Sequence, residues 1–366
     1  MVANETVKKK KGFRRLSIIL CIVLSLCLLL TGCTDEQIEE GVGIAVDILI
    51  DALAPDDTES GETSDTTQSG NSEIVTVEGT MEVHFVDVGQ ADATLIVQGD
   101  KVMLFDTATK GRGDELVEYI QDLGINYIDV VVLSHPHDDH MGGTAKLLNS
   151  NIKVGKIYGP DIFELMDTTD APGWYNDMID AVDRLDAEAN QGIPENQQTS
   201  IWHFPRNSKG EFAKFNLGEA IVEFYAPLED EYSDKNDYSI CAKVTFGTVD
   251  IMFTGDATSN VEKALIEEGY NLDVEVFQSG HHGSDTSNSK EFLEAMSPEA
   301  IVISCGMKNK YDHPIKSVMD LFEKMNITIY RTDESGNIVM TTDGSTYSFN
   351  VDPGTYTSGE EYKKGK

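Results

Sequence analysis

The sequence is poor in basic residues and in cysteine, and its longest apolar run is short for a membrane-spanning helix. The 366 residues include 28 lysines and arginines against 64 aspartates and glutamates, which gives a formal net charge of −36. Proteins that coat DNA nonspecifically carry a basic footprint. The charge therefore argues against such a role and suits a soluble, secreted domain.

Cysteine is scarce, with five residues in the whole chain. Two of them lie in the N-terminal apolar run and a third follows it, so only Cys241 and Cys305 remain for the rest of the chain. Both lie in apolar, strand-like contexts without zinc-finger spacing. We predict two buried free thiols, with a single disulfide as the alternative, and no disulfide framework.

The N-terminus has the pattern of a targeting segment. Basic residues at positions 8–15 precede a 15-residue apolar run at positions 16–30, which is short for a bilayer span. The run ends in Leu-Thr-Gly-Cys, which resembles a bacterial lipobox. We predict a signal peptide over residues 1–32, lipid attached to Cys33, and a location on the extracellular face of the bacterial cell membrane. A retained membrane anchor is the alternative.

Composition divides the rest of the chain. Residues 33–73 contain a tract rich in Asp, Glu, Ser, Thr and Gly, which predicts an acidic, disordered tether. Strand and helix patterns run from residue 74 to residue 352, and a polar tail occupies residues 353–366. The patterned region consists of two β-rich halves, each with helices. This predicts an α+β fold, a four-layer αββα sandwich with the site between its two sheets.

The densest chemical signal is His-Pro-His-Asp-Asp-His at positions 135–140, which holds three of the eight histidines. It follows an apolar run typical of a buried strand, and sites of open α/β sheets lie at the carboxyl ends of strands. His135 and His137 point the same way on an extended segment, whereas Asp139 and His140 cannot easily join them on one ion. The spacing favours two metal ions, the first on His135 and His137 and the second on Asp139 and His140.

Two further motifs follow strand patterns in the second half. Thr-Gly-Asp at positions 254–256 offers Asp256, whose carboxylate could bridge both ions; a turn residue that caps the next helix is the alternative. Ser-Gly-His-His-Gly-Ser at positions 279–284 presents His281 and His282 on a glycine-flanked loop. We assign His281 to the second ion and His282 to substrate, although the spacing also allows the reverse.

Two more candidate residues lie at the ends of predicted elements, one after a strand and one before a helix. Asp106 ends a strand pattern, where a carboxylate could hold a ligand imidazole by its far nitrogen; a turn residue is the alternative. His313 opens a helix pattern, where it could bind an anionic group or protonate a leaving oxygen. A simple helix cap is the alternative for His313.

The motifs together resemble a known family. The H-x-H-x-D-H spacing is the signature of the metallo-β-lactamase-fold hydrolases. The segment His-Phe-Val-Asp-Val-Gly-Gln-Ala-Asp-Ala at positions 84–93 resembles the opening of the secreted hydrolase domain of ComEC-type competence proteins. The same resemblance includes, in order, Asn236 with Ser239, Thr254-Gly255-Asp256, His281-His282-Gly283-Ser284, Asp312-His313-Pro314 and Tyr330-Arg331-Thr332-Asp333. It covers residues 80–350.

This resemblance implies a metal-dependent phosphodiesterase, a domain that in the family is thought to degrade the non-transported DNA strand. It places Asp87, Gln90 and Asp92 at the active-site rim. Asn236 and Ser239 lie where many members of the wider superfamily have a further histidine, so the first ion is short of one strong ligand. The family's membrane channel is not in this sequence, and we expect a stand-alone, lipid-anchored hydrolase.

We therefore predict a centre of two divalent ions, with zinc suited to His and Asp ligands and manganese as the alternative. Such ions lower the pKa of water to about 7 and clamp the attacking and leaving oxygens at a separation of about 3.5–4 Å. We count Asp139, His282 and His313 as catalytic, and DNA or another phosphodiester as substrate. Arg331 could join a local basic patch with Lys308, Lys310 and Lys316.

Two other functions remain open at this point. The same centre could hydrolyse small esters, lactones or β-lactams, which the negative charge of the chain would favour over a polyanion. A degenerate centre could instead leave a lipoprotein that binds DNA or a surface partner without catalysis, and the missing ligand motivates that alternative.

Overall fold

A computed structural model describes residues 77–161, 171–194 and 197–365. The predicted signal peptide, lipidation site at Cys33 and acidic tether lie outside the described residues. Within the described ranges, no helix combines the length and the apolar composition that a bilayer span requires.

The described chain contains fifteen strands. In chain order they are β1 (Met81–Phe85), β2 (Thr94–Gln98), β3 (Lys101–Phe105), β4 (Tyr127–Val132), β5 (Lys153–Tyr158), β6 (Trp202–His203), β7 (Lys214–Leu217), β8 (Ala220–Phe224), β9 (Ala242–Phe246), β10 (Val249–Phe253), β11 (Val276–Gln278), β12 (Ala300–Ile303), β13 (Thr328–Arg331), β14 (Ile338–Thr342) and β15 (Tyr347–Phe349).

Nine α-helices and two 3-10 turns join these strands in the same ranges. The helices are α1 (Gly113–Asp122), α2 (Asp138–Met141), α3 (Thr144–Leu148), α4 (Gly173–Ala189), α5 (Ser259–Glu268), α6 (Lys290–Met296), α7 (Lys316–Lys324), α8 (Thr332–Ser335) and α9 (Gly359–Lys363). The 3-10 turns are Lys235–Tyr238 and Gly280–Gly283.

The strands form two sheets with the same internal plan. The first has the order β15-β14-β1-β2-β3-β4-β5-β6, and the second has the order β13-β12-β11-β10-β9-β8-β7. Pairing is parallel from β3 to β6 and from β10 to β13, and antiparallel elsewhere. Each half therefore offers a row of parallel strands whose carboxyl ends can hold a site.

Alternation along the strands explains the layers. On β3, Phe105 faces the space between the sheets while Leu104 faces the helices of the first half. On β10, Phe253 faces the same central space while Met252 faces the helices of the second half. Phe105 and Phe253 stack with ring centroids 5.3 Å apart. Because successive side chains point to opposite faces, each sheet buries both faces, and the predicted four-layer αββα sandwich is confirmed.

The predicted boundaries differ from the structure in a few places. Strands β5 and β7 were not predicted, because lysine, glycine and asparagine interrupt their apolar patterns. The helix pattern that His313 opens becomes helical at Lys316, because Ile315 is still extended. The predicted free thiols of Cys241 and Cys305 are confirmed, and both are buried.

The polar tail packs on the domain instead of extending from it. Arg331 is fully buried, pairs with Asp333 at 2.9 Å and donates from Nη1 to the carbonyl oxygens of Thr355 and Thr357. A buried guanidinium needs such partners, since an unpaired buried charge is costly. The prediction that Arg331 joins a basic patch with Lys308, Lys310 and Lys316 is therefore wrong: this side chain is buried and anchors the C-terminal segment.

Candidate metal centre

The predicted ligands meet at the carboxyl ends of the parallel strands. In the first sheet, Asp106 follows β3 and residues 134–140 follow β4. In the second sheet, Asp256 follows β10 and residues 281–282 follow β11. The two rows of strand ends face one another. The loops after β4, β10 and β11 line one cleft, and Asp106 is buried.

Two glycines allow these loops to approach closely. A Cβ atom on Gly143 would overlap the carbonyl oxygen of Thr107. A Cβ atom on Gly255, which has φ of +50°, would lie 2.7 Å from Cβ of Ser134. The backbone after β10 therefore presses against the loop after β4, and this places Asp256 among the histidines.

One group of possible ligands consists of His135, His137 and Asp256. Nε2 of His135 lies 2.9 Å from Nδ1 of His137 and 3.6 Å from Oδ2 of Asp256. His135 and Asp256 are buried, and His137 is partly exposed to the cleft. The structure thus brings together the residues predicted for the first ion.

A second group consists of Asp139, His140 and His282. Nε2 of His140 lies 3.1 Å from Oδ1 of Asp256, and Nε2 of His282 lies 3.6 Å from Oδ2 of Asp139. His282, and not His281, thus lies with Asp139 and His140. The geometry therefore favours the alternative that the spacing had left open, with His282 and not His281 at the second ion.

The carboxylate of Asp256 lies between the two groups. Its Oδ1 faces Nε2 of His140 at 3.1 Å and Nε2 of His282 at 3.9 Å. Its Oδ2 faces Nε2 of His135 at 3.6 Å and Nε2 of His281 at 3.3 Å. Each oxygen therefore serves a different pair of imidazoles, which is the arrangement expected of a carboxylate that bridges two ions.

The inward-facing atoms fit a cation. Nε2 of His140, Nε2 of His282 and Oδ1 of Asp256 are buried and make no hydrogen bond with any described residue. Buried polar atoms without a partner are rare because they are costly. Oδ1 of Asp256 lies 3.1 Å and 3.9 Å from the two nitrogens without forming a hydrogen bond. A divalent ion between them would be a partner for all three atoms, so the donor set agrees with a metal site.

One buried carboxylate orients a histidine in each group. Oδ2 of Asp106 accepts hydrogen bonds from Nδ1 of His140 and from the hydroxyl of Ser134, both at 2.7 Å. Because Ser134 donates its proton to Asp106, its oxygen accepts from Nδ1 of His135 at 3.0 Å. Nδ1 of each histidine is therefore a donor, and Nε2 is the atom that each presents to the cluster.

His282 is oriented in the same way by different atoms. Its Nδ1 lies 3.0 Å from the carbonyl oxygen of Ser304 and 3.1 Å from Oδ1 of Asp92. A carbonyl oxygen only accepts, so Nδ1 is a donor and Nε2 is the atom that faces the cluster. His281 and His282 have φ of +52° and +55°, and such strained backbone is concentrated at functional sites. The prediction that Asp92 lies at the rim is wrong: Asp92 is buried, within ion-pair distance of Nδ1 of His282.

The charges in the cluster hold some groups in unusual protonation states. Burial lowers the pKa of His140, but Asp256 and Asp106 outweigh it and hold that pKa well above its usual value. Asp92 and Asp256 do the same for His282 against burial. Burial would raise the pKa of Asp256, yet the surrounding imidazoles hold it well below its usual value. Without metal, the cluster therefore keeps protons on His140 and His282 and a negative charge on Asp256.

Gln90 fixes the tautomer of His313. The backbone N–H of Gly306 donates to Oε1 of Gln90 at 3.0 Å, which sets the orientation of the amide. Nε2 of Gln90 then donates to Nδ1 of His313 at 3.3 Å. Burial and the neighbouring His282 lower the pKa of His313 to about 4. His313 is thus neutral at pH 7, with its proton on Nε2.

Three further predicted residues, Asp87, Asn236 and Ser239, also lie outside the two ligand groups. Asp87 is exposed and accepts from the backbone N–H of Gly89 at 3.1 Å, as a turn residue does. Ser239 is buried and accepts from the backbone N–H of Asp256 at 3.1 Å, so it braces the loop. Oδ1 of Asn236 is buried without a hydrogen-bond partner among the described residues. Neither Asn236 nor Ser239 belongs to a ligand group.

The sequence analysis did not identify two residues that contribute to the site, Ser134 and Tyr311. Ser134 passes the orienting hydrogen bond from His135 to Asp106, and its position directly before His135 was the available signal. Tyr311 lines the cleft, two residues before His313. The cleft has a volume of about 240 Å³ and is lined by His137, Asp138, Asp139, Asp256, His281, His282, Tyr311 and His313.

Comparisons with known proteins bear on this geometry. The sequence profile of the Metallo-beta-lactamase superfamily matches residues 86–306. The chain is 29% identical to Competence protein ComA of Neisseria gonorrhoeae, over 68% of this chain and 30% of that protein. It is 24% identical to ComE operon protein 3 of Bacillus subtilis, over 76% of this chain and 35% of that protein. The chain thus spans about a third of the length of these relatives.

A solved structure gives a further comparison. The metallo-beta-lactamase fold protein YhfI from Bacillus subtilis is 14% identical, with a TM-score of 0.46. The match covers 72% of this chain and all of YhfI.

The protonation states predict that metal binding releases protons. A cation can bind His140 and His282 only after displacing their protons, so about two protons should leave per chain at pH 7. Because both pKa values are raised, affinity should climb as the pH rises through them and then level off. Calorimetric Zn²⁺ titrations in buffers of different ionisation enthalpy measure this release, and zero release would contradict the assignment.

The shared carboxylate predicts a second result. Asp106→Asn should lower metal affinity by about 10–100-fold. An amide oxygen in the place of Oδ2 would turn the NH2 group toward the backbone N–H of Ser134, which donates to Oδ1 of Asp106 at 2.7 Å. Asp129→Asn is the matched control, because Asp129 accepts from the backbone N–H of Val102 at 2.9 Å outside the cleft. Competition with a chromophoric chelator gives both affinities. Equal affinity in the two variants would remove Asp106 from the account.

Proposed function

The chain belongs to the metallo-β-lactamase superfamily, and we propose that it is a metal-dependent phosphodiesterase that cleaves DNA. The observation that carries this proposal is the position of Asp256 between two groups of ligand atoms, with one carboxylate oxygen toward each. Two-ion sites of this kind are suited to displacement at phosphorus.

We assign the ligands by these two groups. His135 and His137 would hold the first ion, Asp139 and His140 with His282 would hold the second, and Asp256 would be shared. When bound, such ions supply Lewis acidity and a water of lowered pKa. Imidazole and carboxylate donors suit zinc. Because two of the ligands are carboxylates, manganese is the alternative.

The chain's own residues support phosphate chemistry at this place. Neutral His313 lines the cleft and keeps Nδ1 engaged with Gln90, which leaves Nε2–H as a donor. In our proposal this N–H donates to a phosphate oxygen or to the leaving oxygen. Gln90 acts as a positioning residue, because it prevents His313 from taking the other tautomer.

The substrate is inferred from the relatives and from the rim of the cleft. Two similar proteins are named as a competence protein and a ComE operon protein, and this supports a DNA-related role. Lys308 and Lys310 are exposed in the loop that precedes His313, where they offset part of the negative charge of the chain. Both features favour a phosphodiester over a neutral ester.

A hydrolase of small esters, lactones or β-lactams is the second candidate. The net charge of −36 opposes the approach of a polyanion, and a cleft of about 240 Å³ would hold a small substrate. The chemistry of the centre would be the same, so only a comparison of substrates separates the two.

We also propose that the protein is secreted and held at the membrane by lipid on Cys33. The basic segment, the apolar run and the Leu-Thr-Gly-Cys sequence support this, and all of them lie outside the described residues. Cys33→Ala should abolish incorporation of labelled fatty acid during expression in a bacterial host. Labelling that persists in the variant would exclude lipid at this thiol.

The proposed centre predicts a specific loss of activity. The Zn²⁺- or Mn²⁺-loaded chain should cleave single-stranded DNA, and His140→Ala should lower kcat/KM by at least about 100-fold through loss of the second ion. Gel analysis of end-labelled strands measures the rate. His203→Ala is the matched control, because His203 lies on β6 beside Tyr158 and does not line the cleft.

Two outcomes would oppose the proposal. Full activity in His140→Ala would remove the centre from the reaction. Hydrolysis of lactones or β-lactams without any cleavage of DNA or of simple phosphodiesters would favour the second candidate.

A further inference from the structure

The loop of residues 306–313, between β12 and α7, presents an aromatic and basic surface at the cleft. Met307 is 58% exposed and Tyr311 is 49% exposed, which makes them the two most exposed large apolar side chains in the described ranges. Lys308 and Lys310 are also exposed. Neither lysine makes an ion pair with a carboxylate of the described chain.

This loop is held rigidly from within. Nδ2 of Asn309 donates to the carbonyl oxygens of Gly306 at 2.8 Å and His313 at 2.6 Å. Its Oδ1 accepts from the backbone N–H groups of Tyr311 at 3.0 Å and His313 at 3.1 Å. The side chain of Asn309 thus forms hydrogen bonds with the backbone of the loop, and the loop presents Tyr311 to solvent before any ligand binds. Such preorganisation reduces the entropic cost of binding.

The tyrosine ring extends the wall of the cleft. It lies almost parallel to the ring of His313, with centroids 5.5 Å apart and an angle of 26° between the planes. Nζ of Lys310 lies 4.6 Å from its centroid. When one atom of a substrate contacts His313, the adjacent part of that substrate would therefore lie beside the ring of Tyr311 and near the ammonium group of Lys310.

The charge pattern of this region favours an anionic polymer. Other lysines nearby are neutralised by carboxylates, since Lys316 pairs with Asp320 and Lys363 pairs with Asp312. In a chain with net charge −36, two exposed lysines without such partners lie one and three residues before the one tyrosine of the cleft lining. Aromatic faces interleaved with cations are the pattern that binds single-stranded nucleic acid.

We propose that Tyr311 is a stacking platform for the nucleobase next to the scissile phosphate, and that Lys308 and Lys310 contact the flanking phosphates of a single strand. The proposal rests on the proposed phosphodiesterase function and names its substrate as single-stranded. In a duplex the faces of each base are covered by its neighbours, so a stacking platform selects unpaired bases. A surface cation–π contact such as that of Lys310 is weak, and a base can replace it.

The test compares strands with and without bases. The chelator-treated full chain cannot cleave, so its binding to a single-stranded oligonucleotide containing 2-aminopurine is measured by fluorescence quenching. An abasic strand of equal length, with a fluorescent end label, is measured by anisotropy. Wild type should prefer the base-bearing strand, and Tyr311→Leu should reduce this preference by about 10-fold or more. Tyr311→Phe should keep most of it, because the ring face remains.

Tyr127→Leu is the matched control, since Tyr127 is 46% exposed on β4 and does not line the cleft. Lys308→Gln with Lys310→Gln should weaken base-bearing and abasic strands alike. Equal binding of the two strands by wild type, or an unchanged preference in Tyr311→Leu, would overturn the platform. The cleavage assay is read separately: a stacking preference that depends on Tyr311, without cleavage by the metal-loaded chain, would support the platform and contradict the proposed phosphodiesterase.

Discussion

The arrangement of the cleft depends on one buried carboxylate. Asp106 is fully buried and accepts from Nδ1 of His140, from the hydroxyl of Ser134 and from the backbone N–H of Ser134. Through these bonds it sets which nitrogen of His135 and His140 carries the proton. Burial raises the pKa of Asp106, and those donors offset part of the cost of keeping a charge there. Without the Asp106 carboxylate, His135 in the first ligand group and His140 in the second would lose the hydrogen bonds that orient them.

The double sandwich provides the second half of the centre. Parallel strands in each sheet end at the same cleft, and the close approach at Gly255 puts Asp256 between histidines from both halves of the chain. Phe105 and Phe253 stack between the sheets, immediately before Asp106 and the Thr254-Gly255-Asp256 turn. The packing of the central layer is thus coupled directly to the spacing of the ligand groups.

Sequence patterns predicted the sandwich and most of the cluster, because strand ends and histidine spacing are local properties. They could not separate His281 from His282, since two adjacent residues in a left-handed turn point in directions that only the folded loop defines. They also misjudged Arg331, whose charge suggested a surface site. Its partners are carbonyl oxygens of residues 355 and 357, and a contact with a distant, compositionally polar segment leaves no local trace in the sequence.

The central claim is that two cations lie on either side of Asp256, and anomalous X-ray diffraction from crystals grown with zinc or manganese tests it most directly. We expect two anomalous peaks about 3.5–4 Å apart, one beside His135 and His137 and the other beside Asp139, His140 and His282. No peak at the cleft, or peaks only at surface carboxylates, would contradict the account.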